Sequence, residues 1–252
     1  MRRIAANAML QQRGYTLVDL ATVLGVLGVL SLSMHSAIES MQQARLYNAS
    51  QADAESARQA LRAYLLRNKR LPCADTSSDG EHGRSDPTCT GNSGWLPYET
   101  LGLEIPERAR RLRYGIYRSG LIDLTNPAAS SIDEPDIEGR SALAAALATL
   151  AKQPFDADAP WYSASVASAS GSASTCQADQ PTNPAFILVA PAADLDGSGA
   201  PAAGFDGPNR DFATGNGRCV AAPSRAADDH YDDVVVAESA STLLGLLTAS
   251  TR

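Results

Sequence analysis

Along its first seventy residues the chain changes hydrophobic pattern once. Across residues 15–34 nearly every position is apolar or small, and Asp19 is the only charge. Twenty helical residues rise about 30 Å, the depth of a bilayer's hydrocarbon core, so 15–34 is expected to be a membrane-spanning helix. Beyond it the apolar positions thin out but keep helical spacing, at Ile38 and Met41, then Ala57, Ala60, Leu61, Tyr64 and Leu65. From there no glycine or proline intervenes before Pro72. One helix from residue 15 to about residue 68, roughly 80 Å long, is therefore expected. Its first half suits a membrane or the core of an assembly, and its second half suits one face laid on a folded body.

After Pro72 the pattern becomes short and mixed. Residues 73–93 are rich in Asp, Ser and Gly and read as a loop. Positions 113–117 and 121–124 read as short strands, and 141–150 (SALAAALATL) as a helix. Residues 163–175 (SASVASASGSAST) form a low-complexity stretch expected to be an exposed loop. Positions 186–189 (FILV) and 234–236 (VVV) carry the pattern of buried strands. The expected class is α+β, a long N-terminal helix on an antiparallel sheet with loop-rich decorations. The helix covers 15–70, and 71–252 forms one globular domain.

Charge sharpens this division. Residues 1–14 carry +3, 15–34 carry −1, 35–71 carry +3 and the remainder −12, for a net −7 over 252 residues. So acidic a body repels nucleic acid and anionic lipid headgroups, and no nucleic-acid partner is expected. The cluster of Arg108, Arg110, Arg111 and Arg113 is a local exception, read as a solvated turn or a subunit contact rather than a polyanion site. The Arg residues before position 15 fit a cytoplasmic N-terminus. Four cysteines, Cys73, Cys89, Cys176 and Cys219, contain no Cys-x-x-Cys pair, and their even number fits an oxidising compartment. Three pairings are open. Cys73 with Cys89 and Cys176 with Cys219 is favoured, because each pair brackets a polar, Gly/Asp-rich stretch without hydrophobic period.

The order Arg13-Gly14-Tyr15-Thr16-Leu17-Val18-Asp19, followed by the Leu/Val-rich run, resembles the class III signal of type IV pilins and type II secretion pseudopilins. In that family a short basic leader ends in Gly, an aromatic residue and Thr-Leu follow, and an acid stands at the fifth mature position. Gly28 also falls where the family commonly has glycine. Two features depart from the pattern: the acid is Asp rather than Glu, and Ser36 stands near the family's frequent proline. The segments LPCADTSSDG, GWLPYETLGL and LRYGIY, in this order, are similar to those following the long helix in some pilin-like proteins.

The resemblance implies a leader at 1–14, cleavage between Gly14 and Tyr15 by a prepilin peptidase, and methylation of the new Tyr15 amine. It further implies assembly with other pilin or pseudopilin subunits through Asp19 and Gly28, on an inner-membrane platform. The subunit would sit in the inner membrane, its C-terminal domain periplasmic, before entering a pilus or pseudopilus. Asp19, one turn from the liberated ammonium, would pair with that of a neighbouring subunit or with its own. Rival readings are a surface adhesin using the 163–175 or 194–216 loops, a singly anchored periplasmic enzyme, and a soluble protein cut after Ser33 by an ordinary signal peptidase.

Candidate chemistry is sparse. Residues 194–199 (DLDGSG) place oxygen donors at Asp194, Asp196 and Ser198 with Gly199 at a sharp turn, a pattern that suits calcium. The twelfth position of such a loop is Phe205 rather than Glu, with Asp206 adjacent, and 228–233 (DDHYDD) could add ligands. A plain turn is the competing reading. The only histidines are His35, His82 and His230, and no Gly-x-Ser-x-Gly, His-Glu-x-x-His or phosphate-binding glycine loop occurs. No enzymatic activity is expected.

Overall fold

The computed structural model describes residues 16–129, 142–163, 180–195 and 204–250 with Cys176, Gly197 and Ala202; the side chains at 32–37, 39, 129 and 250 lie outside that description. The chain divides into two compact units, Met1–Ala44 and Arg45–Arg252. Helix α1, Leu17–Asn68, contributes to both.

In the first unit α1 opens with a reciprocal cap. The Thr16 N–H and hydroxyl both donate to Asp19 Oδ2, at 3.1 and 2.8 Å, and the Asp19 N–H donates to Thr16 Oγ1 at 3.3 Å. This is the Thr-x-x-acid capping box, which satisfies amides that the first turn leaves without carbonyl partners. Two further hydroxyls bond back within the helix, Thr22 to the Asp19 carbonyl and Ser31 to that of Leu27, both at 2.8 Å. Leu17, Val18, Leu20, Val23, Leu24, Val26, Leu27, Val29 and Leu30 are all more than half exposed. At 100° per residue they encircle the helix. Among the described residues no helix is long and apolar enough to cross a membrane. The expected 15–34 segment runs beyond the described side chains at both ends.

The second unit is α+β. Its half of α1 buries Ser50, Ala54, Ala57, Leu61, Tyr64 and Leu65. The alternating three- and four-residue spacing makes a single stripe. Small residues stand at 50, 54 and 57, and Leu61, Tyr64 and Leu65 carry the stripe on into the core. The helix stops at Asn68, whose Nδ2 donates to the Tyr64 carbonyl, and Lys69 turns out at φ 53°.

The body's main sheet has four antiparallel strands in the order β1 (Ser93–Trp95), β2 (Arg113–Ile116), β5 (Phe186–Ala190), β7 (Val234–Glu238). Register pairs Tyr114 with Leu188, and Leu188 with Val236. All five residues of β5 are buried, because both faces of the sheet are covered. Phe186, Leu188 and Ala190 join a core with α1, the one-turn α2 (Tyr98–Leu101), α3 (Ala142–Leu150) and α5 (Ala240–Ser250). Ile187 and Val189 point the other way, into a second core with Phe205, Phe212, Val220 and Tyr231. That second layer holds α4 (Pro208–Thr214) and a small sheet of β4 (Pro181–Thr182), β3 (Trp161–Ser163) and β6 (Cys219–Val220), with β3 and β6 parallel. Gly115 of β2 is where the two layers touch: a Cβ there would lie 2.8 Å from Phe212 Cζ.

Several expectations are met. Strands stand at 113–116, 186–190 and 234–238, and α3 covers 142–150. Residues 121–124 do not form a strand. Asp123 instead accepts from the Thr125 N–H and hydroxyl at 2.8 and 2.6 Å, and this side-chain turn buries Ile122 and Leu124 without ladder pairing. Of the low-complexity stretch 163–175 only Ser163 is described. Loop-rich decoration is also too coarse a description of 191–233, which holds α4 and β6. Helix α5 was not expected, although Ser239 caps it through the Thr242 N–H at 3.1 Å and Leu243 and Leu247 anchor it.

Candidate functional site

Three buried acids draw together on the second-layer side of the main sheet. Asp206 precedes α4, and Asp232 and Asp233 lead directly into β7. One carboxylate oxygen from each lies within 4.8 Å of the others. Their exposures are 0%, 1% and 3%.

Each acid stands where it does for a local reason. Gly207 adopts φ 54°, Pro208 starts α4 with a ring pre-set for helix, and Gly215 closes it at φ 81°, so Asp206 is held on the approach to a short, firmly bounded helix. Asp206 Oδ1 accepts the Leu195 N–H at 3.1 Å, and its Oδ2 accepts the Asp232 N–H at 3.1 Å. Asp232 accepts the Ala193 N–H on both oxygens, at 3.1 and 3.2 Å. Asp233 Oδ2 accepts the Asp206 N–H at 2.8 Å and Asn209 Nδ2 at 2.9 Å. The same Asn209 amide donates to the Tyr231 hydroxyl at 3.1 Å, and its carbonyl accepts the Ala221 N–H at 2.9 Å. Segments 193–195, 206–209 and 231–233 are thus tied together through carboxylates rather than a backbone ladder.

One atom breaks the pattern. Asp233 Oδ1 is buried with no hydrogen-bond partner, a costly state for a carboxylate oxygen. Burial, followed by the charges of Asp206 and Asp232 and against the bonds from Asn209 and the Asp206 N–H, pushes the Asp233 carboxyl well above the ordinary carboxylate range. Hard oxygen donors converging in this way can take up a proton or hold a hard cation.

The sequence-predicted residues fall around this cluster unevenly. Asp194 is exposed and outside the three, while Asp196 and Ser198 lie outside the described residues. The acidic run 228–233 does contribute, through Asp232 and Asp233. Asp206, noted only as a neighbour of the twelfth loop position, is a full member. Its sequence signal is an acid directly after a core phenylalanine, as Asp233 directly precedes three valines.

The favoured cysteine pairing holds: Cys73–Cys89 and Cys176–Cys219 are disulfides, with Cα separations of 5.3 and 6.1 Å. Gly14 and Tyr15 lie outside the described residues. Asp19 is in the capping box, a role its spacing from Thr16 could have revealed, and Gly28 has open space where a Cβ would stand. His82 and His230 are exposed; the side chain of His35 is outside the description. Of the arginine cluster, Arg110 pairs with Asp53 at 2.6 Å and Arg111 donates to the Asp79 carbonyl at 2.7 Å. Arg113 stacks 3.5 Å from the Trp95 ring centroid. Comparison with protein-family models, with curated proteins and with solved structures finds no match, so the functional reading rests on the residues of this chain.

Proposed function

We propose that this chain is a non-catalytic prepilin-type subunit of a type IV pilus or type II secretion pseudopilus. A prepilin peptidase cuts it between Gly14 and Tyr15 and methylates the new amine. Until assembly it is held in the inner membrane by residues 15–34 with its body in the periplasm, and it then joins other subunits through the first half of α1. The observation that carries this reading is the sequence 13–19, RGYTLVD, directly before the apolar run.

Physical chemistry supports it. A helix apolar all round is stable only where something else covers it, whether lipid or neighbouring helices. The back-bonded hydroxyls of Thr22 and Ser31 suit such dry surroundings. Asp19 then has two tasks: it closes the first turn with Thr16, and it stands one turn from the ammonium created at Tyr15. In a dry bundle, pairing that charge across subunits favours one axial register. The body, with two layers on its sheet, suits a minor and tip-proximal subunit rather than a closely packed major one.

Intact-mass and N-terminal peptide analysis of the protein isolated from cells tests the proposal. The expected chain starts at Tyr15 with one added methyl group. A chain that retains residues 1–14, or starts after Ser33, overturns it.

A further inference from the structure

We infer that the outer edge of β7 is a docking site for an extended segment of a different polypeptide, taken up as a fifth strand of the main sheet. The inference draws on the globular body alone and does not depend on the assembly reading above.

The sheet ends differently on its two sides. At the β1 end the edge is closed: the Asp75 N–H donates to the Trp95 carbonyl at 2.9 Å, and the Trp95 N–H donates to that of Asp75 at 2.8 Å. At the other end β7 pairs with β5, and among the described residues no further strand or isolated bridge lies along its outer side. In an antiparallel pair every second residue turns its N–H and C=O away from the partner, so β7 presents a row of ladder groups. Such edges are ordinarily guarded by lysine, proline or a bulge. Residues 234–237 are VVVA, and their register with 187–190 is unbroken. Glu238, the strand's only charge, is buried against Arg62 Nη2 at 2.7 Å. Nothing in the strand discourages pairing.

The edge lies in a cleft. Val234, Val235 and Val236 all line an opening of about 490 Å³. Val234 and Val236 pack toward α1, and Val235 toward the second layer. Successive strand side chains point to opposite faces, so an opening that meets all three runs along the strand's edge. Tyr47 and Gln51 of α1 wall it on one side, and Pro223 and Arg225 on the other. These walls decide the occupant. A second copy's β7 sits between the same walls and cannot be brought edge to edge with this one, whereas a single extended chain can enter.

Charge narrows the occupant further. Arg225 already meets Asp228 at 3.3 Å and stacks on Tyr231 at 3.8 Å, and Glu55, which also lines the cleft, meets Arg58 at 2.8 Å. The cleft therefore favours an uncharged stretch, while the body's −12 favours basic residues beyond it. Asp233 lines the cleft as well, and its partnerless Oδ1 adds a hydrogen-bond site where β7 begins. Donors and acceptors at strand spacing are what a polypeptide backbone offers, with alternate side chains filling the space beside Tyr47.

The test uses the purified full-length protein in detergent and a short synthetic peptide of alternating valine and threonine with lysine at both ends. Fluorescence anisotropy reads binding, and hydrogen exchange reads where it occurs. The peptide is expected to slow exchange of the outward amides of 234–237 at least about tenfold, with α3 and α5 unchanged. N-methylation of alternate peptide amides deletes the donors of one edge; on the pairing edge it should weaken binding at least about tenfold, and on the other edge little. Glutamate ends in place of lysine should weaken binding too. Gln51→Trp fills the cleft from an exposed position and should abolish binding while the melting temperature stays within about 2 °C. Ser56→Trp, exposed on the same helix outside the cleft, should leave binding intact. No binding at millimolar peptide, equal binding of the two N-methylated forms, or undiminished binding in Gln51→Trp would overturn the inference. So would slow exchange at these amides before peptide is added: if dilution removes it the occupant is a second copy, and if not the chain covers its own edge.

Discussion

The two faces of the central sheet are built on different principles. On one face α1, α3 and α5 lay long stripes of Leu, Ala and Tyr against Phe186 and Leu188, and the chief charged contact is Arg62 of α1 on the buried Glu238 of β7. The other face is assembled from a seven-residue helix, two- and three-residue strands and a disulfide, with three aspartates, an asparagine and a tyrosine inside it. Such short elements cannot bury enough apolar surface to hold themselves, so long-range hydrogen bonds and a covalent link take over. Apolar packing tolerates exchange of one hydrophobe for another of equal volume. A buried polar network fails when a single partner is lost.

The largest effect separating the faces should come from Phe186→Ala. This ring is fully buried, meets Tyr114 edge-on at 6.4 Å between centroids, and lies at the centre of the helical-side core. A loss of about 3–5 kcal/mol is expected by urea unfolding. Next is replacement of Cys176 and Cys219 together by Ala, which frees a loop of 43 residues on the polar side. A loss of about 3 kcal/mol is expected, and hydrogen exchange should rise in α4 and β6 while α3 and α5 stay protected. Protection lost equally on both faces would show that the layers fold as one unit and would erase the distinction.

The smallest effect concerns acids outside both cores. Burial pushes the Asp86 carboxyl up, but hydrogen bonds from Thr88 and Thr90 outweigh it and hold it far below the ordinary range. At Asp123 burial is likewise outweighed, by Thr125 and Arg118, and the carboxyl is again held low. A depressed folded-state value stabilises the protein above the unfolded value near pH 4 and loses that contribution as pH falls through the folded one. Asp86→Asn and Asp123→Asn should therefore lower the melting temperature at pH 7, by a margin that shrinks steadily below about pH 4. A margin constant with pH would mean that these side chains act through shape alone.

The same contrast explains what could be read in the sequence. Strands β5 and β7 announce themselves because four apolar residues in a row, or three valines, have few other uses in a short segment. Helix α3 is legible from Leu143, Ala146, Leu147 and Leu150 on one face. The second layer is not, because β4 and β6 are two residues each and have no period to detect. Strand pairing at 121–124 was suggested by Ile122 and Leu124, but their burial comes from the turn around Asp123. The acidic cluster was half legible. Sequence proximity pointed to Asp194, Asp196 and Ser198, whereas the fold joins Asp206 to acids 26 and 27 residues away. No local spacing rule spans such a separation.

The two disulfides make each molecule a record of where it has been. On the export route proposed above, thiols persist in the reducing cytosol and the bonds close once the body reaches an oxidising space. All four sulfurs are committed in the finished fold. A maleimide that blocks free sulfhydryls, added to intact cells before lysis, would therefore sort the population by residence: copies still awaiting export gain four labels, and delivered copies gain none. The ratio of the two would time the crossing, chain by chain, without any tag.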